Sequence, residues 1–339
     1  MRILFIGGTG IISSACSKLA LARGLDLTLQ NRGTHAPIPG ARYLQGEFGA
    51  PETLAALRAE RWDAVVDFIA FRPADIEQRL ELFRDRTRQY IFISSASAYQ
   101  KPASHYPITE STPLVNPYWQ YSRDKIACED RLLKAYRESA FPITVVRPSH
   151  TYGATAIPLA INTWGKTFTA VDRMRRGLPV IVPGDGLSLW TLTHSDDFAK
   201  GLIGLLGHQG AIGHAFHITS DEALSWNQIY EEVAVAAGVN APRLVHLSSD
   251  FIAAALPDVG GGLWGDKANC AVFDNSKIKR FVPDFLATTP FREGIRKTIA
   301  WFDQDPARKI IDQPANARWD ALIAADELGR QAAQRALGS

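Results

Sequence analysis

A tyrosine and a lysine four residues apart have the clearest chemical use in this sequence. They are Tyr121 and Lys125, in the stretch 118–139, whose pattern predicts a long helix with both side chains on one face. A free tyrosine titrates at about pH 10, and a neighbouring ammonium group favours its anion. The pair can therefore accept a proton from a hydroxyl group or return one to a carbonyl group.

Serines stand at the end of the predicted strand 89–94, upstream of this helix. Ser95 is expected to hydrogen-bond the oxygen atom of the substrate, and Ser97 to contact the substrate as well. A Tyr-x-x-x-Lys pattern alone is common on helix surfaces. The pattern is specific here because three features occur in a fixed order along the chain: a glycine-rich turn, the serine-rich strand end and then Tyr-x-x-x-Lys.

The glycine-rich turn directly follows the first predicted strand, residues 2–6, and predicts a dinucleotide site. Gly7 lets the chain turn tightly, and Gly10 lets a pyrophosphate approach the N-terminus of the next helix. The third glycine of the usual fingerprint is replaced by Ser13, which is small enough for close helix–strand packing. The candidate cofactor-binding residues are Gly7, Thr9, Gly10, Ile11, Ile12, Asn31, Arg32, Glu47, Phe48, Ile69, Ala70 and Ser94, together with Tyr121 and Lys125.

The end of the second predicted strand distinguishes NADP from NAD. A carboxylate there would bind the adenosine ribose of NAD and repel a 2′-phosphate. This chain has Asn31 and Arg32 instead, and the planar guanidinium group suits a phosphate. NADP is therefore favoured, with NAD as the alternative. Glu47 and Phe48 are expected to flank the adenine, and Ile69 and Ala70 to line the cofactor cleft.

Strand and helix patterns alternate through the first half of the 339 residues. This alternation predicts an α/β fold: a doubly wound parallel (Rossmann) sheet with a smaller C-terminal substrate-binding lobe. The dinucleotide-binding domain is predicted at residues 1–154, with a return segment near 195–220 whose stretch 214–218 reaches the sheet edge. Residues 155–339 are expected to form mainly the substrate-binding lobe and a C-terminal helix at 320–337.

Composition excludes several classes of protein. A net charge of +2 gives no electrostatic signature of nucleic-acid or membrane binding, and no apolar run is long enough to span a bilayer. The three cysteines form no disulfide framework or metal-ligand cluster, so no metal is expected. The N-terminal apolar run is too short for a signal peptide, which favours a cytoplasmic protein.

These motifs together resemble those of the extended short-chain dehydrogenase/reductase family, the NAD-dependent epimerase/dehydratase group. The resemblance covers about the first 220 residues and includes Val145-Val146-Arg147-Pro148, Tyr152-Gly153, Pro183-Gly184-Asp185-Gly186 and His194-Ser195-Asp196-Asp197. It implies that Ser95, Tyr121 and Lys125 are the catalytic residues. It also implies that Pro148 and Ser149 lie near the nicotinamide, that His150 contacts substrate, and that the long helix forms a homodimer interface.

Two departures from the family pattern bear on the substrate. Sugar-nucleotide 4,6-dehydratases resembling this chain carry an Asp-Glu pair where it has Ala96 and Ser97, which argues against that chemistry. Many related epimerases grip a diphosphate with an arginine at the position of Trp190, with Arg173, Arg175 and Arg176 as alternative cations here. Aromatic faces pack on sugar surfaces. The tryptophans that we expect near a carbohydrate-like substrate are Trp119, Trp164 and Trp190.

The leading hypothesis is an NAD(P)-dependent oxidoreductase or epimerase that moves hydride to or from a sugar-like or other hydroxyl/ketone compound, with Tyr121 as acid and base. An epimerase would retain its cofactor, whereas a reductase would exchange it at each turnover. The alternative is a non-catalytic dinucleotide-binding regulator or an RNA-associated atypical family member, because the same resemblance extends to such proteins. A binding module for sugar phosphates or polyols would have no need of Ser95, Tyr121 and Lys125 together.

Overall fold

Strands and helices alternate through the first half of the chain in a computed structural model, which describes residues 1–163 and 165–338. The strands of this described part are β1 (Arg2–Ile6), β2 (Asp26–Asn31), β3 (Arg42–Gln45), β4 (Ala64–Asp67), β5 (Tyr90–Ile93), β6 (Ile143–Pro148), β7 (His150–Tyr152), β8 (Val180–Pro183), β9 (Leu189–Trp190), β10 (Leu192–His194), β11 (Ala215–Ile218), β12 (Leu224–Ser225) and β13 (Leu244–Leu247). Its α-helices are α1 (Ile11–Ala22), α2 (Pro51–Arg58), α3 (Pro73–Phe83), α4 (Gln120–Ser139), α5 (Thr169–Arg175), α6 (Ser195–Leu205), α7 (Trp226–Ala236), α8 (Ser249–Ala255), α9 (Pro257–Gly262), α10 (Ser276–Phe281), α11 (Phe291–Asp303) and α12 (Gln313–Leu337).

A parallel sheet of seven of these described strands has the order β11-β6-β5-β4-β1-β2-β3. The central strand β1 is apolar and buried from Ile3 to Ile6, as expected for a sheet covered by helices on both faces. The chain runs from β1 to one side and then returns past it to β4. Ligands of such sheets bind beyond the carboxyl ends of the strands at this switch point. The predicted doubly wound α/β fold is confirmed.

The chain divides into two compact units. Unit 1 comprises residues 1–151, 191–221 and 272–289, and it contains the seven-stranded sheet. One hydrophobic core of unit 1 joins the sheet to residues of α1 and α6, and a second joins the sheet to residues of α3 and α4. These packed helices hold the carboxyl ends of the strands in fixed positions.

Unit 2 comprises residues 152–190, 222–271 and 290–339. Within it, β8 pairs with β13 in parallel and β9 pairs with β12 in antiparallel fashion. Its core includes Ile181, Leu247 and Leu263, and the first part of α12 adds Trp319 and Leu322. No described helix of either unit is long and apolar enough to cross a membrane.

The structure differs from the sequence-based expectations mainly in the second half of the chain. The segment 214–218 does pair at the sheet edge, as β11 beside β6. No local sequence pattern indicated that residues 272–289 return to unit 1. The segment contains no sheet strand and only a short helix, and it adds few residues to the core, among them Ile278 and Val282. The buried strand β8 of unit 2 had not been predicted, and the C-terminal helix begins at Gln313 rather than Asp320.

Candidate active site

The turn after β1 has a backbone conformation that requires glycine at two positions. Gly7 and Gly8 have φ angles of 105° and 98°, which residues with side chains rarely adopt. A Cβ atom on Gly8 would also stand 2.6 Å from the Leu29 side chain. The amide of Gly7 donates a hydrogen bond to the carbonyl of Gln30, which anchors the turn to the end of β2. The fold therefore explains these two glycines without a ligand.

Gly10, by contrast, is not required by the fold. Its φ of −79° and ψ of −178° suit any residue, and a Cβ atom there would meet only Ser13 Oγ, at an ordinary 3.5 Å. The fold itself does not require glycine at this position, so the absence of a side chain leaves room for a ligand at the start of α1. Thr9, Ile11 and Ile12 occupy the same turn, and none of these three is buried. The turn fits a pyrophosphate at a helix N-terminus.

Ser13 replaces the third fingerprint glycine and takes over a local hydrogen bond. Its hydroxyl oxygen accepts from the amide of Gly10 at 2.9 Å, and the side chain is buried. Two further serines secure the turn to α1, since Ser14 Oγ donates to the carbonyl of Gly10 and Ser17 Oγ to that of Gly8. The serine-rich start of α1 thus fixes the glycine turn through side chains.

The end of β2 carries an amide and a cation but no carboxylate. Asn31 Oδ1 accepts from the Gly33 amide at 2.8 Å, and Asn31 Nδ2 is a buried donor without a partner among the described residues. Arg32 is exposed. A groove of about 380 Å³ lies between the start of α1 and the segment 36–39, and it is lined by Thr9 of the glycine turn and by Ser14 and Lys18 of α1. The arrangement fits a negatively charged group on an adenosine ribose.

The next strand ends carry the other candidate cofactor contacts. Phe48 stacks under the guanidinium group of Arg79, 3.6 Å from its ring centre, and Glu47 is exposed. Asp67, at the end of β4, is buried and accepts from the amides of Ile69 and Ala70 at 2.9 Å each. It also accepts from Arg79 and from the hydroxyl of Tyr90. This carboxylate shapes the loop in which Ile69 is exposed and Ala70 is buried.

Tyr121 stands in the first turn of α4 between two aromatic rings. The centre of its ring is 4.8 Å from that of Trp119 and 6.4 Å from that of Phe71, and the side chain is partly exposed. Trp119 precedes the helix, and Asn116 Oδ1 accepts its amide hydrogen. Tyr121 is thus held between two rings at the beginning of a helix, at the carboxyl edge of the sheet, and not on a loop.

Lys125 follows one turn later and is buried. Its ammonium donates to the carbonyl of Ala70, in the loop after β4, at 2.7 Å and to that of Ile93, at the end of β5, at 2.8 Å. The nitrogen lies 5.9 Å from the centre of the Tyr121 ring and 4.6 Å from that of Phe71. Burial lowers the Lys125 pKa to about 8, although the negative charges of Asp67 and other neighbours oppose the shift. The ammonium stays charged at neutral pH, with a third N–H for a further acceptor.

Three serine hydroxyls connect the end of β5 to α4. Ser95 Oγ lies 2.8 Å from Ser97 Oγ, which accepts from Ser122 Oγ at 2.8 Å. Ser95 is partly exposed, whereas Ser97 and Ser122 are buried. Asn116 donates to the Ser97 carbonyl and holds the same turn from another side. The structure therefore places Ser97 behind Ser95, where it orients that hydroxyl. Ser94, one residue earlier, is buried against α4.

The remaining candidates in unit 1 lie from the end of β6 to the start of β7. Pro148 is buried in the sheet beside Ile218, and Ser149 Oγ donates to the carbonyl of Thr191 at 3.0 Å. His150 is partly exposed at the start of β7. The carboxyl ends of β1, β4, β5 and β6 thus carry candidates from the glycine turn to Ser149, within one unit.

Two further substrate candidates stand later in the chain. Trp164 is outside the described residues. Trp190 is buried in unit 2, where its ring lies 5.1 Å from that of Trp226 and 4.3 Å from the Lys267 ammonium. Also in unit 2, the three arginines weighed as diphosphate ligands form ion pairs with carboxylates: Arg173 with Asp320, Arg175 with Asp303 and Arg176 with Asp172.

Several residues of the site had been missed in the sequence. Phe71, Asn116 and Ser122 position the predicted residues, yet each stands in an unremarkable local pattern. Glu129 had an available signal, because it continues the Tyr121–Lys125 spacing by another four residues. Among the described residues, no group of three His, Cys, Asp or Glu could hold a metal ion.

Known proteins share both the sequence pattern and the fold. A 2′-dehydrokanamycin reductase of Streptomyces kanamyceticus is 29% identical over 244 residues, which cover 70% of this chain and 67% of that protein. The chloroplast stem-loop binding protein of 41 kDa b from Arabidopsis thaliana is 28% identical over 262 residues, covering 72% of this chain and 65% of the relative. An epimerase structure from Methanothermobacter thermautotrophicus superposes with a TM-score of 0.74 at 18% identity, covering 90% and 93% of the two chains.

The family assignment rests on a match to about the first two thirds of the chain. The model of the NAD dependent epimerase/dehydratase family matches residues 3–219, which include the glycine turn, the serine-rich strand end and the Tyr121–Lys125 pair. The glycine turn at the start of α1 fits the pyrophosphate of the dinucleotide that this family description names. The chain belongs to the NAD dependent epimerase/dehydratase family.

Proposed function

We propose that this protein is an NADP-preferring oxidoreductase or epimerase acting on a hydroxyl or keto group of a sugar-like small molecule. The observation that carries the proposal is the ring centre of Tyr121 5.9 Å from the buried Lys125 ammonium, on a helix whose Ser122 hydroxyl is connected through Ser97 to the Ser95 hydroxyl. When bound, the nicotinamide would donate or accept the hydride. The chain itself would supply binding, orientation and proton transfer.

Tyr121 is the proposed acid and base. In the reduction direction its hydroxyl gives a proton to the carbonyl oxygen of the substrate, and in the oxidation direction its anion takes the proton back. Lys125 stabilises that anion because its ammonium is buried, charged at neutral pH and held by two carbonyl groups. Ser95 donates to the same substrate oxygen, and Ser97 keeps the Ser95 hydroxyl directed toward it.

The cofactor preference is proposed from the end of β2 and the neighbouring groove. Arg32 and Lys18 are both exposed, and Lys18 lines the groove along α1. A 2′-phosphate in that groove would meet the Lys18 cation; Arg32 offers a second exposed cation directly after β2, where no carboxylate stands. NAD is the alternative, since the family is described as NAD dependent.

The substrate class is proposed from two considerations. The similarity to a 2′-dehydrokanamycin reductase supports net reduction of a keto compound, and the partly exposed Trp119 beside Tyr121 offers an aromatic face to a sugar. Ala96 and Ser97 stand where related dehydratases carry two acids, which disfavours water elimination. We also propose a homodimer through α4, where Tyr136 is exposed.

A second candidate function is stem-loop binding without catalysis. It is favoured by the 28% identity to the chloroplast stem-loop binding protein. The complete Ser95, Tyr121 and Lys125 set supports the enzymatic proposal instead, as does a net charge of only +2. Titration of a labelled RNA stem-loop at increasing salt would separate the two, because a nucleic-acid binder loses affinity steeply as phosphate contacts are screened.

The experiment that tests the proposed function identifies the cofactor. Freshly purified protein is denatured, and any released nucleotide is analysed by mass spectrometry. The empty protein is then titrated with NADP, NADPH, NAD and NADH. Reversible binding of NADP in preference to NAD supports a reductase or dehydrogenase. NAD retained through gel filtration supports an epimerase and contradicts the proposed role of Arg32. A protein that binds none of the four nucleotides contradicts the proposed function.

A further inference from the structure

A third side chain continues the catalytic face of α4. Tyr121, Lys125 and Glu129 follow one another at intervals of four residues, so all three lie along one side of the helix. Glu129 is completely buried. A carboxylate in the core of a sheet domain is costly unless it is paired, and the acid–base chemistry proposed above does not use it. Its contacts indicate what it does.

The Glu129 carboxylate binds two strands to the helix. Its Oε1 atom accepts from Ser94 Oγ at 2.5 Å and from Arg147 Nε at 3.0 Å. Its Oε2 atom accepts from Arg147 Nη2 at 2.6 Å. Ser94 follows β5, and Arg147 lies in β6, next to the strand end where the Ser94 amide donates to the carbonyl of Val146. One side chain therefore joins α4 to both strand ends.

This connection acts directly on the residue that faces the substrate. Successive side chains of an extended segment point in opposite directions. Accordingly, Ser94 is buried toward Glu129, while the next residue, Ser95, is partly exposed. A movement of Ser94 relative to α4 would displace the Ser95 hydroxyl relative to Tyr121, which the same helix carries.

The carboxylate also balances charge in the core. Burial would lower the pKa of Arg147, but the charge and hydrogen bonds of Glu129 raise it above its ordinary value. The guanidinium group stacks 4.8 Å from the Tyr99 ring centre. The ionisable groups around Lys125 are Asp67 from β4, Asp75 from α3, and Tyr121, Cys128 and Glu129 from its own helix. Loss of the Glu129 charge would leave two buried cations with one counter-charge fewer.

We propose that Glu129 is a positioning residue for the reaction, and this proposal rests on the proposed function. It holds Ser95 in register with Tyr121 by binding Ser94, and it holds the core around Lys125 electrically balanced by pairing with Arg147. It does not touch the substrate. The residue is therefore needed for rate rather than for dinucleotide affinity.

The first test is Glu129→Gln, which keeps the size of the side chain and removes its charge. We expect kcat to fall about 100-fold, because a misplacement of reacting groups by about 1 Å costs about that factor. The dissociation constant for NADPH should stay unchanged. The titration of Lys125 should also move to lower pH by on the order of one pH unit. That shift is measured without substrate, from the pH dependence of the difference in unfolding free energy between the Glu129→Gln protein and the same protein carrying Lys125→Met.

A double variant separates positioning from stability. Replacing both members of a buried ion pair by apolar residues often preserves stability. Glu129→Met combined with Arg147→Met should therefore fold, yet remain about 100-fold slower because Ser94 has lost its acceptor. Ser94→Ala keeps the ion pair, should fold, and should also lower kcat. Asp197→Asn is the matched control, since Asp197 is a buried carboxylate of unit 1 that binds Lys200 and the amides of Thr288 and Thr289.

The outcomes divide as follows. A slow but stable double variant, a displaced Lys125 titration in Glu129→Gln, and unchanged kcat in the folded Asp197→Asn protein support the proposal. Wild-type kcat in the double variant or in Ser94→Ala overturns it, as does an unmoved Lys125 titration. Failure of the proposed function itself is seen separately, as a wild-type protein that neither binds a nicotinamide dinucleotide nor turns over, and the Lys125 titration remains measurable in that protein.

Discussion

Replacement of Lys125 by methionine should change the pH dependence of stability in a defined direction. Burial lowers the Lys125 pKa from 10.5 to about 8. Since the unfolded chain retains the ordinary value, the unfolded state binds more protons between these two pH values. The free energy of unfolding of the wild-type protein therefore rises with pH across this window, relative to a protein without the ammonium group.

The size of the effect follows from the same shift. A fall in pKa from 10.5 to about 8 corresponds to about 3 kcal/mol at 25 °C. At pH 7 the variant gains by losing a costly buried charge. It also loses by leaving the carbonyls of Ala70 and Ile93 without their donor, at about 1–3 kcal/mol each. These terms oppose one another at pH 7, so the slope with pH is the informative quantity.

The assay is denaturant unfolding followed by circular dichroism at pH values from 7 to 10.5. Lys134→Met serves as the control, because Lys134 lies on the same helix with a largely exposed side chain. The wild-type advantage over Lys125→Met should grow by about 3 kcal/mol across the range, while the advantage over Lys134→Met stays constant. If the difference in unfolding free energy between wild type and Lys125→Met stayed constant with pH, the lowered pKa of a buried Lys125 would be refuted.

The remaining predictions concern the cofactor and the substrate oxygen. Gly10→Ala should weaken dinucleotide binding at least about tenfold by obstructing the pyrophosphate, with a loss of stability below about 1 kcal/mol. Gly8→Ala, by contrast, should destabilise the fold measurably. If the free energy of unfolding of Gly10→Ala fell by as much as its free energy of dinucleotide binding, the interpretation of that turn would be contradicted. Arg32→Ala and Lys18→Ala should each reduce NADPH affinity about tenfold and leave NADH affinity unchanged in calorimetric titrations, and equal effects on both cofactors would exclude a 2′-phosphate contact. Ser95→Ala should lower kcat about 100-fold with unchanged cofactor affinity, and a wild-type kcat would remove Ser95 from the mechanism.

The sheet could be predicted from the sequence because its signals are local. The strands β1, β4, β5 and β6 are short apolar runs, and turns or helical patterns separate them, as in other parallel sheets. Helix bounds were predicted less closely, since the C-terminal helix begins at Gln313 whereas residue 320 was expected. The segment 272–289 returns to unit 1 through contacts distant in sequence, which no local pattern reveals.

The candidate site divides in the same way. Tyr121 and Lys125 share a helix, so their spacing alone predicted a common face. The role of Ser97 depends on hydrogen bonds to Ser95 and Ser122, and Ser122 lies on another element. Similarly, the ion pair of Arg147 and Glu129 joins a strand to a helix, so the sequence contains both residues but does not show that they are in contact. Tertiary contacts of this kind decide which polar residues face a ligand and which support it.

The most direct test of the central claim follows a deuterium atom. Wild-type protein and Tyr121→Phe are each incubated with 4-deuterated NADPH and a panel of keto sugars, and the products are analysed by mass spectrometry. The account predicts a product one mass unit heavier than the unlabelled alcohol with the wild-type protein. It predicts no such product with Tyr121→Phe, although both proteins bind NADPH with the same affinity. Transfer at the wild-type rate by Tyr121→Phe would contradict the assignment of Tyr121 as the acid and base.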